Sequence, residues 1–134
     1  MPVDFEAAVR GIRAAKDPRY PGGAYRFVME ALELTVKKLG ERRHVTGREL
    51  LEVIRDYAKE EFGVLAKTVF DVWGISKTND FGNIVFNLVE AGVMGKTEKD
   101  SVADFNEVYS FDAAFPTEPD SRHLFRKKKP DLQP

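Results

Sequence analysis

Apolar residues recur at intervals of three and four along most of the chain, the spacing that places them on one face of a helix. The pattern predicts five helices, over about residues 4–16, 24–39, 46–62, 64–73 and from 78 or 79 to 91. Thr46 followed by Glu49 is typical of a capping box, in which a hydroxyl and a carboxylate each bond a backbone amide at the helix start. Gly40, Gly63 and Gly92 follow apolar stretches and predict helix ends.

After Gly92 the spacing changes to alternation. The stretches VMGKT (93–97) and EVYSF (107–111) predict two short strands, joined by a polar loop with one helical turn after Ser101. Residues 116–134 combine prolines with the basic run RKKK and show little periodicity, so we expect a disordered basic tail there.

This order of elements, with a turn at Gly74 between two helices and a hairpin behind them, is similar to the second half of a winged helix. We therefore expect a mainly α-helical fold, in which two N-terminal helices pack on a winged-helix-like helix-turn-helix unit with a small β-hairpin. Residues 1–115 are predicted to form one compact domain, of which 46–115 are the winged-helix-like part.

The charge distribution argues against DNA reading by this scaffold. Residues 64–115 carry a net charge of −4, although the whole chain is at −1, and phosphate backbones attract the opposite sign. The residues predicted to point outward from the last predicted helix and the turn before it are Lys77, Asn79, Asp80, Asn83, Asn87 and Glu90. The candidate nucleic-acid contacts are Lys77, Asn79, Asn83, Lys96 and Lys99. Nucleic-acid binding is the alternative function, not the first.

Several functional classes find no motif in the sequence. The chain has no cysteine, and its two histidines, His44 and His123, have no ligand spacing around them. No stretch has the length of a signal peptide or a bilayer span, so we expect a cytoplasmic protein. The sequence predicts no catalytic residue, no metal site and no cofactor, and hence a non-enzymatic protein.

One connection is rich in basic residues and has two interpretations. The candidate patch for an anion or a partner protein consists of Lys37, Lys38, Arg42, Arg43 and Arg48. The patch could grip an acidic group. Alternatively, the lysines stabilise the negative end of their own helix while the arginines are solvated.

The stretches RYPGGAYRFVMEAL, HVTGRELLEVIRDYAKEEFG and AKTVFDVWGISKTNDFGNIVFNLVEAG, followed by KTEKDSVADFNEVYSFDAAF, resemble a family of small uncharacterised bacterial proteins. The resemblance covers about residues 5–115. It implies a single architectural unit and brings no functional residue with it, because the family has no assigned activity.

The preferred interpretation is a protein-interaction or dimerisation module, with a protein partner or a second copy of the chain. Its apolar contact is predicted to draw on the N-terminal helices and on four aromatic residues of the hairpin, Phe105, Tyr109, Phe111 and Phe115. A further five aromatic residues are predicted to fill the core: Tyr20, Tyr25, Trp73, Phe81 and Phe86. The alternative is a nucleic-acid-associated regulator of winged-helix type.

Overall fold

The computed structural model describes residues 4–40, 45–94 and 102–116. Six α-helices run through them: α1 Phe5–Ala15, α2 Gly22–Leu39, α3 Gly47–Phe62, α4 Ala66–Val72, α5 Thr78–Glu90 and α6 Phe111–Ala114. Two 3-10 helices, Gly63–Leu65 and Val102–Phe105, precede α4 and α6. The mainly α-helical prediction is confirmed, and so is the helical turn after Ser101. No described helix is both long and apolar enough to cross a bilayer.

The ends of the helices follow from local chemistry. Asp4 accepts a hydrogen bond from the Ala7 amide at the start of α1. At α3 the Glu49 amide donates to the Thr46 hydroxyl at 3.1 Å, and the Thr46 amide donates to the Glu49 carboxylate at 2.9 Å. This is the predicted capping box. Gly40 ends α2 with φ of 76°, a left-handed conformation that suits a residue without Cβ.

Helix α2 packs against α3, and α5 contacts both of them. Phe27 of α2 stacks on Tyr57 of α3 with ring centroids 5.2 Å apart, and the Tyr57 hydroxyl donates to Glu30 at 2.9 Å. Because α2 packs against α3, α5 and α1, it is buried on more than one side, as its wide apolar stripe predicts.

An aromatic cluster around Phe70 forms the centre of the core. Phe70 is fully buried on α4. Six rings lie with their centroids within about 6 Å of the Phe70 ring: Phe27, Phe62, Trp73, Phe81, Phe111 and Phe115. Edge-to-face and tilted pairs of this kind add to the stability that burial alone provides. The cluster therefore ties α2, α3, α4 and α5 to the segment that follows residue 102.

The prediction that the later aromatic residues form an exposed contact surface is wrong. Phe105, Phe111 and Phe115 are buried, and Tyr109 is partly buried with its hydroxyl donating to the Leu51 carbonyl at 2.8 Å. Burial of the Tyr109 ring raises the pKa of its hydroxyl. These rings complete the core instead of offering a surface to a partner.

Phe105 is wedged between two helices at positions that lack a side chain. A Cβ atom at Gly82 of α5 would lie 2.8 Å from the Phe105 Cβ, and one at Gly47 of α3 would lie 3.0 Å from its ring. The Thr78 hydroxyl donates to the Phe105 carbonyl at 2.6 Å and accepts from the Val108 amide at 3.0 Å. Glycine at both positions is thus what allows residues 102–110 to lie against α3 and α5.

The predicted β-hairpin is wrong where the structure describes it. Residues 106–109 form turns and bends, Ser110 caps α6, and residues 4–40, 45–94 and 102–116 contain no strand. Of the first predicted strand, Val93 and Met94 are in a bend, and residues 95–97 lie outside the described ranges, as does the predicted tail at 117–134. The winged-helix interpretation depended on this hairpin and finds no support in the described residues.

Several large apolar side chains are on the surface, among them Phe86, which was predicted to fill the core. Leu65 is 59% exposed, Val72 is 76% exposed and Phe86 is 44% exposed. Tyr20, Tyr25 and Phe81 are buried as predicted, and Trp73 is partly buried.

Candidate functional site

A cleft of about 430 Å³ lies between the connection from α1 to α2 and the face of α5. Lys16, Asp17, Pro18 and Arg19 form one wall. Asn83, Phe86 and Asn87 form the other, since positions three and four apart on a helix share a face. We refer to this cavity as the Phe86 cleft. Its volume is within the range of small-ligand sites.

The floor of the Phe86 cleft is a polar network built on Asp17. Its carboxylate accepts from Arg19 Nε and Nη2, both at 2.9 Å, from the Arg19 amide at 3.1 Å and from Asn87 Nδ2 at 2.8 Å. Asn87 Nδ2 also donates to the Tyr25 hydroxyl at 3.0 Å. The paired Arg19 side chain, together with the Asn87 bond, holds the pKa of Asp17 well below its usual range despite burial. Asp17 therefore stays ionised, which makes it a structural anchor and a poor proton donor or acceptor.

A second network continues along α5 from Tyr20. The buried Tyr20 hydroxyl donates to Asp80 at 2.6 Å and accepts from Asn83 Nδ2 at 3.1 Å. Burial, followed by the Asp80 bond, raises the pKa of Tyr20 to about 12. Asp80 also accepts from the Ser76 and Lys77 amides, so it fixes the turn before α5. Tyr20 is thus a link between the α1–α2 connection and the start of α5.

Several polar side chains of the α5 face that was predicted to point outward are buried or form hydrogen bonds within the molecule. Asn87 is buried, so its predicted exposure is wrong. Among the candidate nucleic-acid contacts, Asn79 donates to Asn106 at 2.7 Å and accepts from the Glu107 amide at 3.2 Å. Asn83 lines the Phe86 cleft and Lys77 is exposed. Lys96 and Lys99 lie outside the described residues.

The candidate basic patch is only partly described. Lys37 and Lys38 are exposed and border a groove of about 300 Å³, whose other wall carries Asp56 and Glu60 of α3. The carboxylates oppose any anion in that groove. Arg48 is exposed near the start of α3, and Arg42 and Arg43 lie outside the described ranges. The two interpretations of this patch stay open.

A third cavity, of about 600 Å³, lies between the turn before α5 and the start of α6. Lys67 and Asp112 face each other across it at 2.9 Å, and Asp112 raises the pKa of Lys67. Ser76, Lys77 and Tyr109 are among its other lining residues. Because its charged groups at Lys67 and Asp112 neutralise each other, the cavity offers no free charge at that point.

The described part of the chain contains no cluster of side chains that could bind a metal ion. No three His, Asp or Glu side chains converge there closely enough to hold an ion. The carboxylate oxygens of Asp17 and of Asp80 accept hydrogen bonds from donors within the protein.

Sequence reasoning missed Asp17, Arg19 and the role of Tyr20. The signal was present in KDPRY, where a carboxylate and a guanidinium two residues apart end a helix at a proline. By itself, this stretch predicts only the end of a helix. Its partner Asn87 lies 70 residues away, which no local pattern reveals.

No protein-family model, curated protein or solved structure matches this chain. The resemblance to small bacterial proteins therefore stays a prediction.

Proposed function

We propose that the protein is a non-enzymatic interaction module that dimerises through an apolar strip on the 3-10 helix Gly63–Leu65 and α4. The strip consists of Val64, Leu65 and Val72. The exposure of all three side chains is the main observation that supports the proposal. Leu65 and Val72 are seven residues apart, about two helical turns, so they lie near one face. Single exposed apolar residues are ordinary, but three within nine residues favour a contact surface.

The charges beside the strip favour a second copy of the chain as its occupant. Lys67 and Asp71 are four residues apart and therefore lie along the same edge of α4. When two copies of α4 pair antiparallel about a two-fold axis, this edge of one copy faces the same edge of the other copy, and the two edges run in opposite directions. Lys67, which pairs with Asp112 in its own chain, then also approaches Asp71 of the other copy. Leu65 approaches Val72 in the same arrangement. The surface is self-complementary in both charge and apolar character.

The strip is small, so we expect a reversible dimer. Stable complexes bury about 800 Å² on each partner, more than three aliphatic side chains supply. Part of the gain from burial is also offset by the loss of translational and rotational freedom on association. A dissociation constant on the order of 100 µM is consistent with these opposing contributions.

Sedimentation velocity of the full chain from about 10 µM to 1 mM tests this proposal. We expect the weight-average sedimentation coefficient to rise with concentration in the wild type and to stay at the monomer value for Val72→Glu. Leu34→Glu is the matched control, because Leu34 is an apolar residue of α2 that is about as exposed as Val64 and lies outside the strip. A wild type that stays monomeric throughout would refute the proposal, as would equal loss of association in the control.

A nucleic-acid-associated regulator is the alternative function. It has less support, because Asn79 and Asn83 already bond Asn106 and Tyr20 within the molecule. Fluorescence anisotropy with labelled duplex and single-stranded DNA at low salt separates the two. Tight binding that weakens steeply with salt would favour the alternative.

A further inference from the structure

We propose that the Phe86 cleft binds an extended peptide segment of another protein, one that carries an acidic residue next to an apolar residue. This site is separate from the α4 strip, so the proposal goes beyond dimerisation. It depends on the polar floor of the cleft, the spacing of two asparagines on α5 and the exposed ring of Phe86.

The hydrogen bonds fix the orientation of both asparagine amides. The Asp17 carboxylate can only accept, so the amide atom of Asn87 that meets it at 2.8 Å must be Nδ2. The Tyr20 hydroxyl uses its proton on Asp80, so the atom of Asn83 that meets it must also be a donor. Both side chains therefore direct their nitrogen to the protein. Within the described residues, no group donates to Oδ1 of Asn83 or of Asn87.

An unpartnered acceptor on Asn87 is the informative part of this arrangement. Asn87 is only 4% exposed, and buried polar atoms usually have a partner. It lines the cleft together with Asn83, whose amide has the same open acceptor. A ligand that donates two hydrogen bonds would satisfy both.

The spacing of the two acceptors matches an extended backbone. Asn83 and Asn87 are four residues apart on α5, which separates them by about 6 Å along the helix axis. In an extended chain, amides on the same side recur every second residue, at about 6.6 Å. Two alternate N–H groups of a peptide laid along α5 can therefore reach the two Oδ1 atoms together.

The rest of the cleft determines which side chains the peptide carries. Phe86 is 44% exposed and offers a ring face beside the asparagines, so it favours an apolar or aromatic residue. Arg19 binds Asp17 through Nε and Nη2, which leaves Nη1 without a partner among the described residues. Nη1 can donate to an acidic side chain of the peptide. Lys16, at the other end of the wall, pairs with Glu90 and lies 5.4 Å from the Phe86 ring centroid.

The first test is a titration of the ¹⁵N-labelled full chain, followed by NMR. The probe is a pool of acetylated, amidated pentapeptides with Phe or Leu at the centre and Asp or Glu beside it. We expect shifts of the side-chain NH2 groups of Asn83 and Asn87 and of the Phe86 amide. A pool with Lys or Arg in place of the acidic residues should bind several-fold more weakly. No shift at these three residues at millimolar peptide would overturn the proposal.

Methylation of the peptide nitrogens tests the two-residue spacing directly. For the tightest peptide of the pool, one version is N-methylated at the odd amides and one at the even amides. We expect one version to lose binding and the other to keep it, because only one set of N–H groups faces α5. Equal effects of the two versions would overturn the extended-backbone geometry.

Phe86→Ala is expected to weaken binding about tenfold, since it removes a ring from the contact. Leu34→Ala is the matched control, an exposed apolar residue of α2 that lies in neither the cleft nor the α4 strip and should leave affinity unchanged. Adenosine monophosphate, which also combines a planar group with an anion, is titrated in parallel. Stronger shifts of the same three residues by the nucleotide would replace the peptide proposal with a nucleotide site.

Discussion

A pair of glycine-to-alanine substitutions tests whether Phe105 is truly fixed between α3 and α5. In a helix interior, alanine is more stable than glycine by about 1 kcal/mol. A Cβ at Gly82 would lie 2.8 Å from Phe105 Cβ and 2.9 Å from its Cγ, whereas carbon atoms pack at about 3.5 Å or more. Something must move by more than half an ångström.

Phe105 has little room to retreat. A Cβ at Gly47 would lie only 3.0 Å from the Phe105 ring, and the Phe105 carbonyl accepts from the Thr78 hydroxyl at 2.6 Å. Overpacking of this kind costs about 1–3 kcal/mol. After the gain in helix propensity, we expect Gly82→Ala to be destabilised by up to about 2 kcal/mol. Gly11→Ala is the control, because Gly11 is exposed on α1 with nothing within 4 Å of its Cβ position, and it should be stabilised by up to about 1 kcal/mol.

Urea denaturation followed by Trp73 fluorescence measures both variants, because Trp73 packs on Phe70 in the core. Equal slopes of the transitions would show that the midpoints report stability. If Gly82→Ala is as stable as Gly11→Ala, then Phe105 shifts freely, and the wedge between α3 and α5 is not a fixed contact.

Two substitutions test the polar networks through their pH dependence. Asp17→Asn removes the carboxylate that accepts from Arg19 and Asn87, so we expect a loss of about 1–2 kcal/mol near neutral pH. Because the pKa of Asp17 is lowered from 3.8, this loss should shrink as the pH falls below about 4, which urea titrations at several pH values measure. Tyr20→Phe removes the hydrogen bond to Oδ1 of Asp80 and leaves the amide bonds to Oδ2, with a similar expected loss. Since folding raises the pKa of Tyr20 from 10.0 to about 12, that contribution is present below pH 10 and is lost as the pH rises through 12; a difference that stays constant over this interval would contradict the assignment.

The elements that sequence reasoning predicted correctly are those determined by near neighbours. The capping box at Thr46 needs only Glu49, three residues away, so the start of α3 can be predicted from the sequence alone. The helices and their glycine ends likewise depend on spacing within one element.

The second predicted strand failed because its backbone groups have partners elsewhere in the chain. The alternation in EVYSF fits a strand, but the Glu107 and Val108 amides donate to side chains of Asn79 and Thr78. These side chains replace the hydrogen bonds that a neighbouring strand would supply. They come from α5, 28 and 30 residues earlier, and no local pattern contains them.

On α5 the prediction was inverted for two adjacent residues. Apolar character placed Phe86 inside and polar character placed Asn87 outside, yet Phe86 is exposed and Asn87 is buried. Asp17 decides the outcome, since its ionised carboxylate needs a donor and Asn87 supplies one. The candidate cleft could therefore not be predicted from the sequence, because the residues of its two walls are about 70 positions apart along the chain.

The aromatic cluster also sets the order in which the core can be completed during synthesis. Phe70 is enclosed by Phe111 and Phe115, which the ribosome adds 41 and 45 residues later. At about 5–20 residues per second, the Phe70 ring waits for roughly 2–9 s before its last neighbours exist. In that interval the helices of the nascent chain can pair, but their central apolar surface is open to chaperones and to other chains. The core around Phe70 therefore cannot be completed until Phe115 has been synthesised.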